Sequence, residues 1–155
     1  KRNHTKRVGN IRTSTPKVQL EDLEKWTRRE GIDTITEATI RVTGTTDAAT
    51  QFRNLIRLAK AGKKITTNVE IRARKYETNL TLDATFKADD TGLETPAAKI
   101  LDDIGRWSLP EFEATINLKA ENIPVNEIRE LLKNTLKTDD PNTKLALEIK
   151  PKRKK

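Results

Sequence analysis

The sequence predicts an α+β fold: a two-layer sandwich with helices on one face of a five-stranded, mostly antiparallel sheet. Five segments alternate apolar and polar residues with a period of two, and four others repeat apolar residues every three or four positions. Their order, α-β-α-β-β-α-β-α-β, contains the β-α-β-β-α-β order of ferredoxin-like folds plus an added α-β unit. Each predicted strand is apolar on one side only, so the other sheet face is open or paired.

The first helix is predicted over about Pro16–Glu30. Ser14 and Thr15 offer a capping hydroxyl, Pro16 suits the first turn and Gly31 suits the end. Its apolar stripe is Leu20, Leu23 and Trp26. The helix is therefore expected to bury one side.

The first strand follows from Ile32 to Gly44. One face is predicted to carry Thr34, Thr36, Ala38, Ile40 and Val42, and the other Ile35, Glu37, Thr39, Arg41 and Thr43. Thr45 or Thr46 caps a second helix whose core side is Phe52, Leu55, Ile56 and Ala59. Gly62 is expected to end it.

The next two strands, about Ile65–Tyr76 and Leu80–Lys87, are predicted to form a hairpin because only three residues separate them. Asp89 to Gly92 reads as a turn, and Thr95 with Pro96 opens a third helix that Trp107 extends.

A fourth strand follows Pro110, with Phe112, Ala114, Ile116, Leu118 and Ala120 inward. Pro124 is placed in the first turn of a fourth helix, and the last strand covers about Lys144–Lys150. Nine elements are therefore expected.

A short internal repeat divides the chain. Glu37-Ala38-Thr39-Ile40 recurs as Glu113-Ala114-Thr115-Ile116, and Val69-Glu70-Ile71-Arg72 resembles Leu147-Glu148-Ile149-Lys150. The offsets are 76 and 78 residues. The repeat is compatible with two β-α-β halves related by pseudo-symmetry, or with the common use of these residue types in strands.

The positive charge is concentrated in three segments. Lys and Arg number 31 against 23 Asp and Glu, a net charge of +8. Residues 1–12 and 150–155 carry +5 each, so residues 13–149 carry −2. Within that interior, 53–76 carries +7 and 77–149 carries −7. The predicted organisation is a basic arm at 1–13, one domain at 14–149 and a basic tail at 150–155.

These basic segments predict contacts with nucleic acid phosphates that do not depend on base sequence. On the second helix and the following strand the predicted binding residues are Arg53, Arg57, Lys60, Lys63, Lys64, Arg72, Arg74, Lys75 and Tyr76. In the ends they are Lys1, Arg2, Lys6, Arg7, Arg12, Lys152, Arg153, Lys154 and Lys155. The alternative is a solvated helix face with ordinary cross-strand pairs.

Other chemistry has little support. The chain has no Cys and one His, so disulfides, Cys-ligated metals and His clusters are excluded. The pairs Asp89-Asp90, Asp102-Asp103 and Asp139-Asp140 are interpreted as caps and solvated turns. No cofactor, metal or small-molecule substrate is predicted. No apolar run approaches the roughly 20 residues that span a bilayer, and no secretion signal opens the chain.

Three functions fit these observations. The first is a non-enzymatic nucleic-acid-binding accessory protein. The second is a structural or assembly subunit of a virion or large complex, in which the +7 and −7 segments attract between copies and the protein forms oligomers. The third is a nuclease-like toxin domain of a longer protein. The predicted location is the cytoplasm, or the interior of such an assembly.

Overall fold

A computed structural model describes residues 6–8, 15–59, 66–75, 80–88, 94–107, 110–135 and 140–151. Along the chain its elements are β1 (Lys6–Val8), α1 (Pro16–Glu30), β2 (Thr34–Gly44), α2 (Thr46–Ala59), β3 (Thr66–Lys75), β4 (Leu80–Ala88), α3 (Glu94–Gly105), β5 (Pro110–Pro124), α4 (Val125–Thr135) and β6 (Lys144–Pro151). The predicted turn at Asp89–Gly92, the hairpin connection, the end of α2 at Gly62 and Tyr76 lie outside the described residues.

The α+β class is confirmed, with an antiparallel sheet and four helices. Within the described residues the sheet has six strands in the order β1-β6-β2-β5-β3-β4. The extra strand is β1, whose three residues were predicted to belong to the N-terminal arm. A three-residue strand has too little alternation to be recognised in a sequence; it forms here because it pairs with β6.

The five-stranded, ferredoxin-like arrangement is not confirmed. β2 and β5 are adjacent and antiparallel, β6 lies beside β2 and β3 lies beside β5. In the unit β2-α2-β3, strand β5 therefore lies between the two strands, and in the unit β5-α4-β6, strand β2 lies between them. The order of elements along the chain does not fix which strands pair, so this arrangement was not readable from the element order.

The two copies of the repeat lie on the two central strands. Ile40 pairs with Ile116 at the middle of the β2–β5 ladder. On the outer sides, Ile40 pairs with Leu147 of β6 and Ile116 pairs with Val69 of β3. The register thus has a pseudo-twofold axis through the Ile40–Ile116 pair. This axis relates the half β1-α1-β2-α2-β3 to the half β4-α3-β5-α4-β6.

The helices repeat the same relation in the core. Phe52 and Ile56 of α2 are buried, as are Ile128 and Leu132 of α4, 76 positions later. Leu23 and Trp26 of α1 correspond in the same way, at an offset of 78, to two buried residues of α3, Leu101 and Ile104. Each large apolar side chain buried in this way contributes on the order of 1.5–3 kcal/mol to the core. Both halves therefore bury equivalent helix faces.

The predicted start and end of α1 are confirmed. The Thr15 hydroxyl accepts a hydrogen bond from the Val18 backbone N–H (3.5 Å), and Gly31 adopts a left-handed conformation with φ of 67°. Two other expectations differ. Trp107 lies beyond the end of α3, and Pro124 ends β5 instead of starting α4.

Ile35 was assigned to the polar face of the first strand, and this was wrong. The β2 ladder shifts register between Ile35 and Glu37, which is a β-bulge. The extra residue places Ile35 in the core, fully buried, together with Ala38 and Ile40. The strict alternation that predicted its direction fails at this position.

Replacing Gly44 with alanine is expected to destabilise the fold by about 1–3 kcal/mol. Gly44 ends β2 with φ of 155°, and an added Cβ would lie 2.8 Å from the Ala48 Cβ and 2.9 Å from the Asn142 carbonyl oxygen. Urea unfolding followed by circular dichroism measures the loss. The matched control is Gly105→Ala, because a Cβ added at Gly105 has no neighbouring atom within 4 Å. Equal effects at both glycines would contradict the close packing described for Gly44.

Candidate nucleic-acid interface

The sheet face away from the helices is polar. Along β2, Ala38, Ile40 and Val42 are buried under the helices, while Arg41 between them is exposed. The described cations of this open face are Arg41, Arg72, Arg74, Lys119, Lys144 and Lys150, and its carboxylates are Glu37, Glu70, Glu111, Glu113 and Glu148. The two sets nearly balance, so the described part of this face carries little net charge.

Arg53 and Arg57 lie on α2, in the helix layer. Arg53 Nε is 3.3 Å from Asp102 Oδ1 on α3. The equivalent pair in the other half joins α4 to α1, with Arg129 Nε donating to Glu24 Oε2 at 2.8 Å. The hydrogen bond to Glu24 raises the pKa of Arg129. Both halves therefore contain an equivalent contact between helices, and at the exposure of Arg53 and Asp102 such a pair contributes at most about 1 kcal/mol to stability.

The described cations that the sequence predicted on α2 and on β3 do not share one face. Ile71 and Ala73 of β3 are buried beneath the helices, so Arg72 and Arg74 lie on the opposite face of the sheet from Arg53. In a two-layer sandwich the polar side of a helix and the polar side of a strand face away from each other. One phosphate backbone cannot lie along both.

Arg72 and Arg74 lie beside an open groove of about 400 Å³, where β2 ends but β3 and β5 continue. Its lining is Thr43, Gly44, Arg72, Ala73, Arg74, Glu111, Phe112 and Glu113. Arg74 Nη1 is 3.9 Å from Glu111 Oε1, and Arg41 Nε is 3.5 Å from Glu113 Oε2. These ion pairs are about half exposed and long, so they are weak.

Glu37 organises the other end of the open face. Asn117 Nδ2 donates to Glu37 Oε2 at 2.6 Å and to the Thr39 hydroxyl at 2.8 Å, and Lys150 Nζ lies 3.2 Å from Glu37 Oε1. Burial by itself would raise the pKa of Glu37. The hydrogen bonds from Asn117 and Lys150, with the charges of Lys150 and Lys119, outweigh it and lower that pKa below 4.5.

The two basic ends of the chain attach at this same end of the sheet. β1 and β6 are antiparallel, and Lys6 pairs with Ile149. The residues before Lys6 and those after Pro151 therefore attach at the same corner, next to Lys150. The start of β3 is at this end too, since Thr66 pairs with Lys119. Lys63 and Lys64 come directly before it in the sequence.

The structure describes only some of the predicted binding residues. Arg53, Arg57, Arg72 and Arg74 are exposed, and Lys6, Arg7 and Lys75 lie within strands β1 and β3. Outside the described residues are Lys1, Arg2, Arg12, Lys60, Lys63, Lys64, Tyr76, Lys152, Arg153, Lys154 and Lys155.

Sequence reasoning did not include Arg41, Lys119 and Lys150 among the binding residues. Arg41 and Lys119 were recognisable as outward positions by strand alternation. What the sequence did not show was that the fold places Lys119 and Lys150 on either side of Glu37.

Comparison with known proteins gives no family for this chain. No protein-family model, no curated protein and no solved structure matches it. Within the described residues, no group of three or more His, Cys, Asp or Glu side chains is placed to hold a metal ion. None of the described helices has the length and apolar character to cross a bilayer.

Replacing Glu37 with glutamine is expected to cost about 1 kcal/mol at pH 7, because it removes charge-assisted hydrogen bonds. The folded pKa of Glu37 is lowered, so its charged form stabilises the fold above pH 4.5 and this contribution is lost as pH falls below that value. Unfolding free energies of the two proteins should therefore converge below pH 4.5.

The control is Glu121→Gln, an exposed glutamate near the end of β5. It should change the unfolding free energy little at either pH. If the difference in unfolding free energy between wild type and Glu37→Gln is the same at pH 3 and pH 7, the role assigned to the carboxylate is refuted.

Proposed function

We propose that this protein binds nucleic acid without reading base sequence, through its basic chain ends and the adjacent open sheet face. The observation that carries the proposal is the antiparallel pairing of β1 with β6. This pairing brings Lys6 and Lys150 to one corner of the sheet, where the two cations before β1 and the four after Pro151 also attach. These cations come from opposite ends of the sequence. Because they attach at one corner of the fold, they supply one concentrated cationic region.

Charge supports a polyanionic partner. Residues 13–149 carry −2, so the body has no net attraction for phosphate and the ends must provide it. Lys and Arg that neutralise phosphates release condensed counterions, which gives affinity irrespective of base sequence. Arg and Lys side chains of the open face, Lys119 and Lys150 among them, extend the cationic region onto the folded body.

The chemistry of the open face supports backbone contact over base stacking. Its described side chains are Thr, Asn, Arg, Lys, Glu and one buried Ala. None of these described side chains is aromatic, whereas single-stranded RNA bound on a sheet usually stacks on two or three aromatic rings. Hydrogen bonds and ion pairs to phosphate and sugar are the contacts that such a face can make.

The assembly hypothesis has less support. Val18 is the one large apolar side chain that is exposed among the described residues. Stable homodimers usually bury a more apolar patch than this. Light scattering in the binding buffer measures the mass, and a concentration-dependent oligomer without nucleic acid affinity would favour the assembly hypothesis.

The proposal is tested by a salt-series titration with random-sequence DNA and RNA. The affinity is expected to fall steeply as salt rises from about 50 to 200 mM, with a slope of about 0.9 in log K per phosphate contact on duplex. Two matched variants each remove two charges. Lys152→Gln with Arg153→Gln should reduce the slope by up to about 1.8, whereas Arg53→Gln with Arg57→Gln should leave it unchanged.

Two results would overturn the proposal. One is the absence of binding at about 50 mM salt, where contacts with phosphate are strong. The other is an equal loss in both variants, because the helix-layer arginines lie on the opposite face of the molecule.

A further inference from the structure

We infer that the preferred ligand is a duplex, with its local twofold axis along the pseudo-twofold axis of the sheet. The inference rests on the proposed function and names its ligand. The strands of a duplex run antiparallel, so its backbone has local twofold axes that symmetric binding proteins match. In this protein a single chain provides that symmetry, because the axis passes through the Ile40–Ile116 pair.

The axis relates cations at opposite ends of the open face. Lys150 pairs in register with Glu37, and Arg72 pairs in register with Glu113. Glu37 and Glu113 are the equivalent residues of the repeat, so Lys150 and Arg72 are equivalent too, at an offset of 78. Arg74 adds a second cation at the Arg72 end, and its side chain is half exposed. The face therefore carries one cluster of cations on each side of the axis, Arg72 with Arg74 on one side and Lys150 with Lys119 on the other, and each cluster has carboxylates beside it.

The separation of the clusters suits a duplex. Across the sheet, three strand spacings separate β6, which carries Lys150, from β3, which carries Arg72. Along the strands, Lys150 lies level with Glu37 and Arg72 lies level with Thr43, six residues further along β2. With spacings of about 4.8 Å between strands and 3.4 Å per residue, Lys150 and Arg72 lie about 25 Å apart. With the duplex axis along the line that joins the clusters, this distance takes about seven base pairs at 3.4 Å each.

The carboxylates are placed so that phosphates contact the ends of the face and not its centre. Glu70 and Glu148 lie towards the outer strands, each in register with a central threonine, Thr115 or Thr39. Beside the axis, Thr39 faces Asn117 and Arg41 faces Thr115, so no carboxylate lies at the centre of the face. A duplex groove, which presents base edges and sugars, fits above this carboxylate-free strip, while its two backbones reach the two clusters.

The ion pairs at the clusters do not prevent this contact. The Lys150 side chain is 52% exposed although it lies 3.2 Å from Glu37. The Lys150 ammonium group has three N–H donors, so a phosphate oxygen can accept a hydrogen bond from it beside Glu37. A flexible single strand lacks the twofold arrangement, so it needs to contact only the Lys150 cluster and the basic chain ends.

The test titrates the full chain with DNA duplexes of 6, 8, 10 and 14 base pairs and with single strands of the same lengths. Duplexes of eight or more base pairs should bind about tenfold more tightly than the matching single strands. The six-base-pair duplex should lose most of this advantage, since about seven are needed to span both clusters. Single strands that bind as tightly as duplexes would overturn the inference while leaving the proposed function intact.

Three variants test the symmetry. Arg72→Gln and Lys150→Gln should each weaken duplex binding by about three- to tenfold, and only Lys150→Gln should weaken single-strand binding. Glu113→Gln should strengthen duplex binding about two- to fivefold, because it removes a negative charge beside Arg72. A gain of affinity cannot arise from misfolding. An Arg72→Gln variant that binds duplex as wild type does, or a Glu113→Gln variant without a gain, would refute the placement.

If the proposed function itself fails, neither duplexes nor single strands bind at about 50 mM salt. That outcome is distinct from binding without a duplex preference, and it overturns both the function and the inference.

Discussion

The pairing of β2 with β5 sets the positions of the other strands and of the helices. Its register places Ile40 opposite Ile116, so the apolar residues of both central strands lie on one side. A slip of one residue would turn Ile40 and its neighbours towards solvent. β3 and β6 add to this pair on either side in equivalent registers, and α2 and α4 cover it with equivalent faces. The pseudo-twofold axis is a consequence of this one ladder.

The two-layer arrangement separates the cations that the sequence brings together. Arg57 and Arg72 are 15 positions apart in the most basic segment of the chain, yet they occupy opposite surfaces. In the other direction, the ends of the chain are far apart in sequence and meet at the β1–β6 pair. Which charges act together is therefore decided by strand pairing, and a count of charge along the sequence gives a different grouping.

The helices and most strands were predictable because their periodicity is strong. α1 was expected over the residues it occupies, and Leu23, Trp26, Phe52 and Ile56 were expected in the core, where they lie. Errors arose where a local irregularity or a long-range contact decides the outcome. The bulge after Ile35 reverses one side chain, and β1 exists only through its pairing with β6. Neither leaves a periodic signal.

The candidate interface was predictable in part. Strand alternation showed that Arg72 and Arg74 point away from the apolar side of β3, and it showed the same for Arg41 and Lys119. The separation of the helix cations from the strand cations also follows from the predicted two-layer fold, because the polar sides of the helices and of the sheet face opposite directions. The arrangement of Lys119 and Lys150 around Glu37 required the strand order β6-β2-β5, which no local pattern encodes.

The class of fold, the apolar face of each helix, the alternation of most strands and the location of charge along the chain follow from the order of the residues alone. These properties depend on residues within one or two turns of each other, where side-chain direction follows from backbone geometry. The strand order, the pseudo-twofold axis, the bulge at Ile35 and the meeting of the two basic ends arise only in the folded chain. Those features depend on contacts between residues far apart in the sequence, such as Ile40 and Ile116, and such contacts are selected by the packing of the whole sheet and its helices.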